Sequence, residues 1–300
     1  MESISISKKH FKRQKAILIL MIPGLIWYIF FKYLPMIGVL SAFTNYGLKM
    51  NVSFVGLNNF QKLFSSPVFW NAFKNTLVIS ILNLLFYFPL PIILALCMNE
   101  IFHKKIKEII QFIVYIPHFF SWVVVGSLFV TLLAPDVGIV NRMIQFFGGE
   151  SIYFMVSPRW FRGVLITSNI WRDVGYGTVI YIATMATIDR QLYEAAVVDG
   201  ASYFAKMWYI TLPSLKSTIA TVLLLTVSRI LLLFEQIIVM YNPAVYSVSE
   251  VLNTYSYTEG LQNGNIAYGS AVSLFTAVIS GILVLGCNFI SKKVLDESIL

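Results

Sequence analysis

Trp171, Arg172, Asp173 and Tyr176 stand in one apolar stretch, and Arg229, Glu235, Gln236, Tyr241 and Asn242 stand in or at the end of another. Charge is costly to take out of water, so ionisable groups in such surroundings mark buried pairs or a polar route. At the rise of a helix, Arg172 and Asp173 fall about 15 Å inside one end of their stretch, and Arg229 about 18 Å inside the opposite end of its own. Asp173 and Arg229 therefore reach similar depth, where they either pair or face a water-filled cavity, and Arg172 can turn toward the same space. Ser228, Glu235 and Asn242 recur every seven residues, with Arg229 and Gln236 alongside, which predicts a broad polar helical face. Such a face either pins neighbouring helices or lines a path. This is the chemistry of recognition.

The sequence holds no Gly-x-x-x-x-Gly-Lys-Ser/Thr phosphate loop, no His-Glu-x-x-His and no Gly-x-Ser-x-Gly. His10, His103 and His118 are scattered, and Cys97 and Cys287 are too few for a metal cage or a disulfide framework. No catalytic residue, metal ligand set or cofactor of the chain's own is expected.

The elements that must position these groups follow from composition. Of 300 residues, 58% are hydrophobic and 12% charged, which places the chain in a bilayer. The net charge of +8 is gathered beside apolar runs rather than on an aromatic-interleaved basic face, so no nucleic-acid partner is expected. Six stretches are long enough to span: 16–43, 76–98, 109–134, 162–188, 217–240 and 267–290. The first continues past Phe30 without a small-residue cleavage site, so it reads as an uncleaved span preceded by a basic segment, 1–15. Lys and Arg number thirteen on the side of the termini (8–15, 104–107, 190–216, 292–293) and six on the other, which puts both termini in the cytoplasm. The expectation is an all-α integral membrane protein with six spans over 16–291, external loops at 44–74, 135–161 and 241–265, and a cytoplasmic tail, 292–300.

One cytoplasmic connection, 189–216, has its own pattern. Residues from Asp189 to Val198 favour a helix, Gly200 can end it in the left-handed conformation, and Ser202 can cap a second helix from Tyr203 to Ile210 that Pro213 stops. Ala195, Ala196 and Ala201 leave a low surface that a partner groove can approach, while Glu194 and Asp199 offer carboxylates to partner donors.

Glu194-Ala195-Ala196, Asp199-Gly200-Ala201 and the closing Leu212-Pro213 resemble the coupling loop, named for its Glu-Ala-Ala, of permease subunits in binding-protein-dependent ABC importers. Ser217 stands where that family often has a second proline. Asn169 to Tyr176 and Met240 to Tyr246 resemble segments of carbohydrate permeases, especially the polysaccharide and oligosaccharide branch that includes maltose-permease-like subunits. The resemblance covers about residues 11–290. It implies the type I importer permease fold in a bacterial cell membrane and a loop that docks on a separate ATPase carrying ATP and Mg. It also implies a second permease forming a heterodimer, two ATP-binding subunits, an extracellular solute-binding protein, surrounding lipid and a carbohydrate substrate moved by alternating access.

For a sugar, Trp171, Tyr176, Tyr181, Tyr241 and Tyr257 are candidates to meet its C–H faces, and Arg172 and Arg229 suit a carboxylated sugar as well as they suit internal pairing. A different reading, an ion-coupled secondary transporter, would use Asp173 and Arg229 as coupling groups. Gly269, Ser273, Ala277 and Gly281 repeat every four residues, predicting a groove for another helix, from this chain or a second permease.

Overall fold

The computed structural model describes residues 8–47 and 52–295. The start of the expected N-terminal segment, part of the first external loop and the last five residues of the expected tail lie outside them. Among the described residues the regular structure is all helical and no strand forms, apart from one isolated antiparallel bridge between Thr44 and Phe54.

Among the described residues four helices are long and apolar enough to cross a membrane. Helix α1 (Leu18–Phe43) is one, its first turns continuing back to Lys8. The short α2 (Asn58–Phe64) leads to α3 (Pro67–Asn99), which is followed by the pair α4 (Lys104–Phe119) and α5 (Trp122–Leu132). Beyond α6 (Ile139–Phe146) come α7 (Pro158–Met185) and α8 (Arg190–Val198), then α9 (Tyr203–Ser228). The short helices α10 (Glu235–Met240), α11 (Tyr246–Ser249) and α12 (Leu252–Tyr257) precede α13 (Ile266–Leu295). Helices α3, α9 and α13 complete the set of four. Helix α7 has the length to cross but carries Arg159, Arg162, Arg172 and Asp173.

Two expected spans are not straight. The third is bent by 101° between α4 and α5. Local chemistry accounts for this: Pro117 opens a tight final turn, and Ser121 caps α5 by accepting the Val124 N–H. The fifth, expected to run through 217–240, ends at Ser228 and restarts at Glu235. The seven-residue stripe of Ser228, Glu235 and Asn242 therefore does not lie on one helix. No proline or glycine interrupts this stretch; partners elsewhere in the chain hold it open. Ser80 donates to the freed Ile230 carbonyl, and Gln236 donates to the Leu165 carbonyl and the Ser168 hydroxyl at 2.6 and 2.9 Å. Backbone freed from a helix at membrane depth has to find such partners.

The core is built around α7. Buried Phe161, Val164, Leu165 and Ile166 pack with Ile79, Val125, Ile237 and Met240. Further along, Tyr181 and Met185 pack with Ala95, Leu96 and Leu215. Gly175 lets α7 touch α4, since a Cβ there would lie 2.0 Å from the Val114 carbonyl oxygen, and Gly177 admits Pro91 of α3. Arg162 donates to the Val248 carbonyl and to the Asn75 side chain, tying one end of α7 to α3 and α11. Part of the expected helix groove is filled by this chain: Gly269 lies against Gly260, and Ser273 bonds Ser256.

Candidate functional site: an elbow and a midplane cavity

The elbow is made by local capping. Asp189 accepts the Gln191 N–H at 2.9 Å and starts α8. At the other end Ala201 N–H reaches the Ala196 carbonyl and Gly200 N–H the Val197 carbonyl, with Gly200 at φ +75°, so the helix is closed by a left-handed residue. A Cβ at Gly200 would meet nothing within 4 Å, so backbone conformation rather than space sets the requirement. Ser202 then caps α9 by accepting the Ala205 N–H, and Tyr193 and Thr211 join the two arms through their hydroxyls at 2.9 Å.

Pro213 does not stop the second arm, contrary to expectation. Helix α9 runs on because residues Met207–Thr211 form a wider turn, in which Leu212 N–H reaches back to the Met207 carbonyl. The wide turn leaves room for the proline ring, and the Ser214 hydroxyl donates to the Ile210 carbonyl. Leu212 packs beside Tyr181 and Leu215 while Pro213 is exposed. Glu194, Ala195 and Asp199 are exposed, Ala196 and Ala201 half-buried, and Val198 and Tyr209 are 87% and 77% exposed. This edge carries low alanines, two free carboxylates and uncovered apolar side chains, the composition of a contact surface.

The second site is a cavity of about 590 Å³ beside the break between α9 and α10. Asp173, Arg229, Glu235 and Gln236 line it, together with Asn83 and Trp122. Asp173 does not pair with Arg229. Its carboxylate is held instead by His118 Nδ1 at 2.8 Å and by Arg172 at 3.1 Å. The His118 ring lies flat on Tyr176 at 3.8 Å, and the Arg172 guanidinium sits 4.7 Å from the Trp122 ring centre while donating to the Phe120 carbonyl. One compact cluster thus fastens the α4–α5 bend to α7 and neutralises the aspartate.

The Arg229 and Glu235 side chains have no hydrogen-bond or ion-pair partner among the described residues and both residues are exposed. Gln236 is spent on Leu165 and Ser168, so its role is to hold the break. Trp171 meets Phe129 edge-on, Tyr181 is buried in the core, Tyr241 packs on Tyr246, and Asn242 bonds the Met155 carbonyl while accepting the Ala244 N–H. These four, with Arg172 and Tyr176, fall outside the cavity lining. His118 is the residue that sequence reasoning set aside. The amides of Asn83 and Asn169, bonded to one another at 3.0 Å within apolar helices, were the available signal for a polar interior.

A multiply spanning helical chain, with a broken helix beside a polar cavity and an exposed capped elbow, defines a membrane transport subunit. Comparison with known proteins makes this specific. Residues 87–296 match the family described as "binding-protein-dependent transport system inner membrane component", and the chain belongs to that family. It is 43% identical over 96% of its length, and 91% of the relative's, to a polygalacturonan/rhamnogalacturonan transport system permease protein, YteP, of Bacillus subtilis. It is 41% identical over 96% of its length, and 92% of the relative's, to protein LplB of the same organism. The crystal structure of a bacterial alginate ABC transporter, in complex with an alginate pentasaccharide-bound periplasmic protein, contains a chain with a TM-score of 0.90 and 40% identity. The match covers 97% of this chain and 99% of that one. The chain is accordingly a multi-pass permease of an ABC importer in the cell membrane, and the relationship gives the ion-coupled reading no support.

Proposed function

We propose that this permease carries an acidic oligosaccharide, that Arg229 reads its carboxylates, and that the 189–216 elbow couples passage to a separate ATPase. The observation that carries the substrate reading is Arg229, facing a 590 Å³ cavity with no anionic partner. A guanidinium at this depth is too costly to present to lipid, and it matches a carboxylate with two parallel hydrogen bonds. Glu235 accepts from sugar hydroxyls in the same cavity. The relatives named for polygalacturonan, rhamnogalacturonan and alginate transport concern polymers of acidic sugars, which supports the same choice.

The assembly consists of this chain, a second permease in a heterodimer, two ATP-binding subunits that hold ATP and Mg, and an extracellular solute-binding protein. The likeness to a transporter crystallised with its periplasmic protein supports the last. Six spans with both termini cytoplasmic agree with the charge distribution: four long apolar helices, the α4–α5 pair as a broken span, and α7, whose Arg162, Arg172 and Asp173 have partners on neighbouring elements or beside them. In this topology the elbow lies on the ATPase side, where Glu194, Asp199 and the alanine surface dock, and closure of the ATPase rocks the helices rigidly between outward-open and inward-open arrangements.

Uptake into proteoliposomes holding the whole complex tests the substrate class. Labelled oligogalacturonide uptake should be competed by other uronate oligosaccharides and resisted by neutral ones of equal length. Equal competition by neutral oligosaccharides would remove the acidic assignment.

A further inference from the structure

Beside the midplane cavity lies a second one of about 630 Å³, lined by the end of α1, by α12 and by the start of α13. Phe234, at the break between α9 and α10, belongs to both linings, so a single side chain divides them. At the far end Tyr46 is likewise shared with a third cavity of about 420 Å³ that includes Lys62. The middle space therefore adjoins each of the other two through a shared residue.

The middle space has a distinct chemistry. Ser41 bonds Ser270 at 2.8 Å and Ser256 bonds Ser273 at 2.9 Å, giving a wall of hydroxyls. Close contact of Gly260 with Gly269 brings the two faces of that wall together. Neither the Asn253 amide nor the Tyr257 hydroxyl has a hydrogen-bond partner among the described residues, and both border the space. The Tyr257 ring stands edge-on to Phe234 at 5.5 Å. None of the side chains around the space carries a formal charge. Unspent amide and hydroxyl groups next to an aromatic ring suit the hydroxyls and C–H face of a sugar, and the volume is that of a small-ligand site.

We propose that this space is a second carbohydrate subsite, in series with the midplane cavity across Phe234, that holds the trailing sugars of a chain whose leading carboxylate has reached Arg229. It rests on the carbohydrate reading above. It predicts a length dependence: a disaccharide occupies the midplane cavity alone, while a hexasaccharide fills both.

The test measures uptake of galacturonate disaccharide and hexasaccharide, and of neutral galactose oligomers of the same lengths, by the reconstituted complex. Asn253→Leu and Tyr257→Phe should each raise KM for hexasaccharides by about tenfold, the loss of one good hydrogen bond. Disaccharide uptake should stay within about twofold by the same scale. Arg229→Ala should impair both galacturonate lengths. Maleimide labelling of Asn253→Cys, in a background lacking Cys97 and Cys287, should be slowed by hexasaccharide and not by disaccharide. Equal effects on both lengths, or labelling that hexasaccharide does not slow, would overturn the subsite. If Arg229→Ala is silent while the length dependence persists, the midplane assignment fails and the subsite stands.

Discussion

The elbow and the midplane cavity are held by different kinds of contact. Every bond that shapes the elbow, apart from the Tyr193–Thr211 link, joins residues a few positions apart: Asp189 to Gln191, Ala201 to Ala196, Ser202 to Ala205. The cavity depends on partners far away in the chain, including Ser80 with Ile230, Gln236 with Leu165 and His118 with Asp173. Under the proposed function, the surface that meets a separate motor is built from caps that form on their own. The cavity, by contrast, is built where helices meet, so that under the proposed function rearranging the helices would remake its walls.

Substitutions can break this contrast. The largest effect is expected for Arg229→Ala, which should lower uptake of acidic oligosaccharides about 10- to 100-fold, the worth of a charged hydrogen-bond partner, with the amount of assembled complex unchanged. Transport assays beside quantitative blots check this. Gly200→Val forces a β-branched residue to φ +75° at a cost of about 1–2 kcal/mol. It should leave the chain inserted while ATP hydrolysis no longer tracks uptake, read as the ratio of phosphate released to sugar accumulated. Gln236→Leu should act on the fold instead. It strips the Leu165 carbonyl and Ser168 of a donor, costing about 1–3 kcal/mol and lowering the melting temperature of the purified complex, with substrate preference retained. Tyr193→Phe should be mildest, removing the Tyr193–Thr211 bond for about 0.5–1.5 kcal/mol and increasing exchange of elbow amides with deuterium. An effect of Gln236→Leu on selectivity would move that residue into the pathway.

What could be read from the sequence follows the same division. Caps and breakers within a few residues specify the bent pair, so Gly200 and Ser202 mark it in the sequence, while the cap at Asp189 emerges from the structure. Pro213 misled because the wide turn that accommodates it depends on backbone geometry that no residue type announces. The fifth span misled for a related reason. Residues Ile230 to Phe234 are apolar and contain no breaker, and the break is stabilised by Ser80 and Gln236 across the fold. For Asp173 and Arg229 the sequence leaves pairing and a shared cavity both open, because depth along a helix does not tell which direction a side chain faces; both line the cavity, and Asp173 is held by His118 and Arg172. His118 reads as one more scattered histidine since its meaning comes from Tyr176 and Asp173, both more than fifty positions away.

Crosslinking across the elbow tests the central claim most directly. A cysteine in place of Ala195, in a chain lacking Cys97 and Cys287, should form a disulfide with cysteines placed around the cleft of the ATPase subunit in the assembled complex. The yield should change between nucleotide-free and ATP-bound states, and locking the bond should stop uptake. Labelling of the same cysteine from the outside of intact cells, or failure to capture the ATPase in any nucleotide state, would contradict the coupling role assigned to this surface.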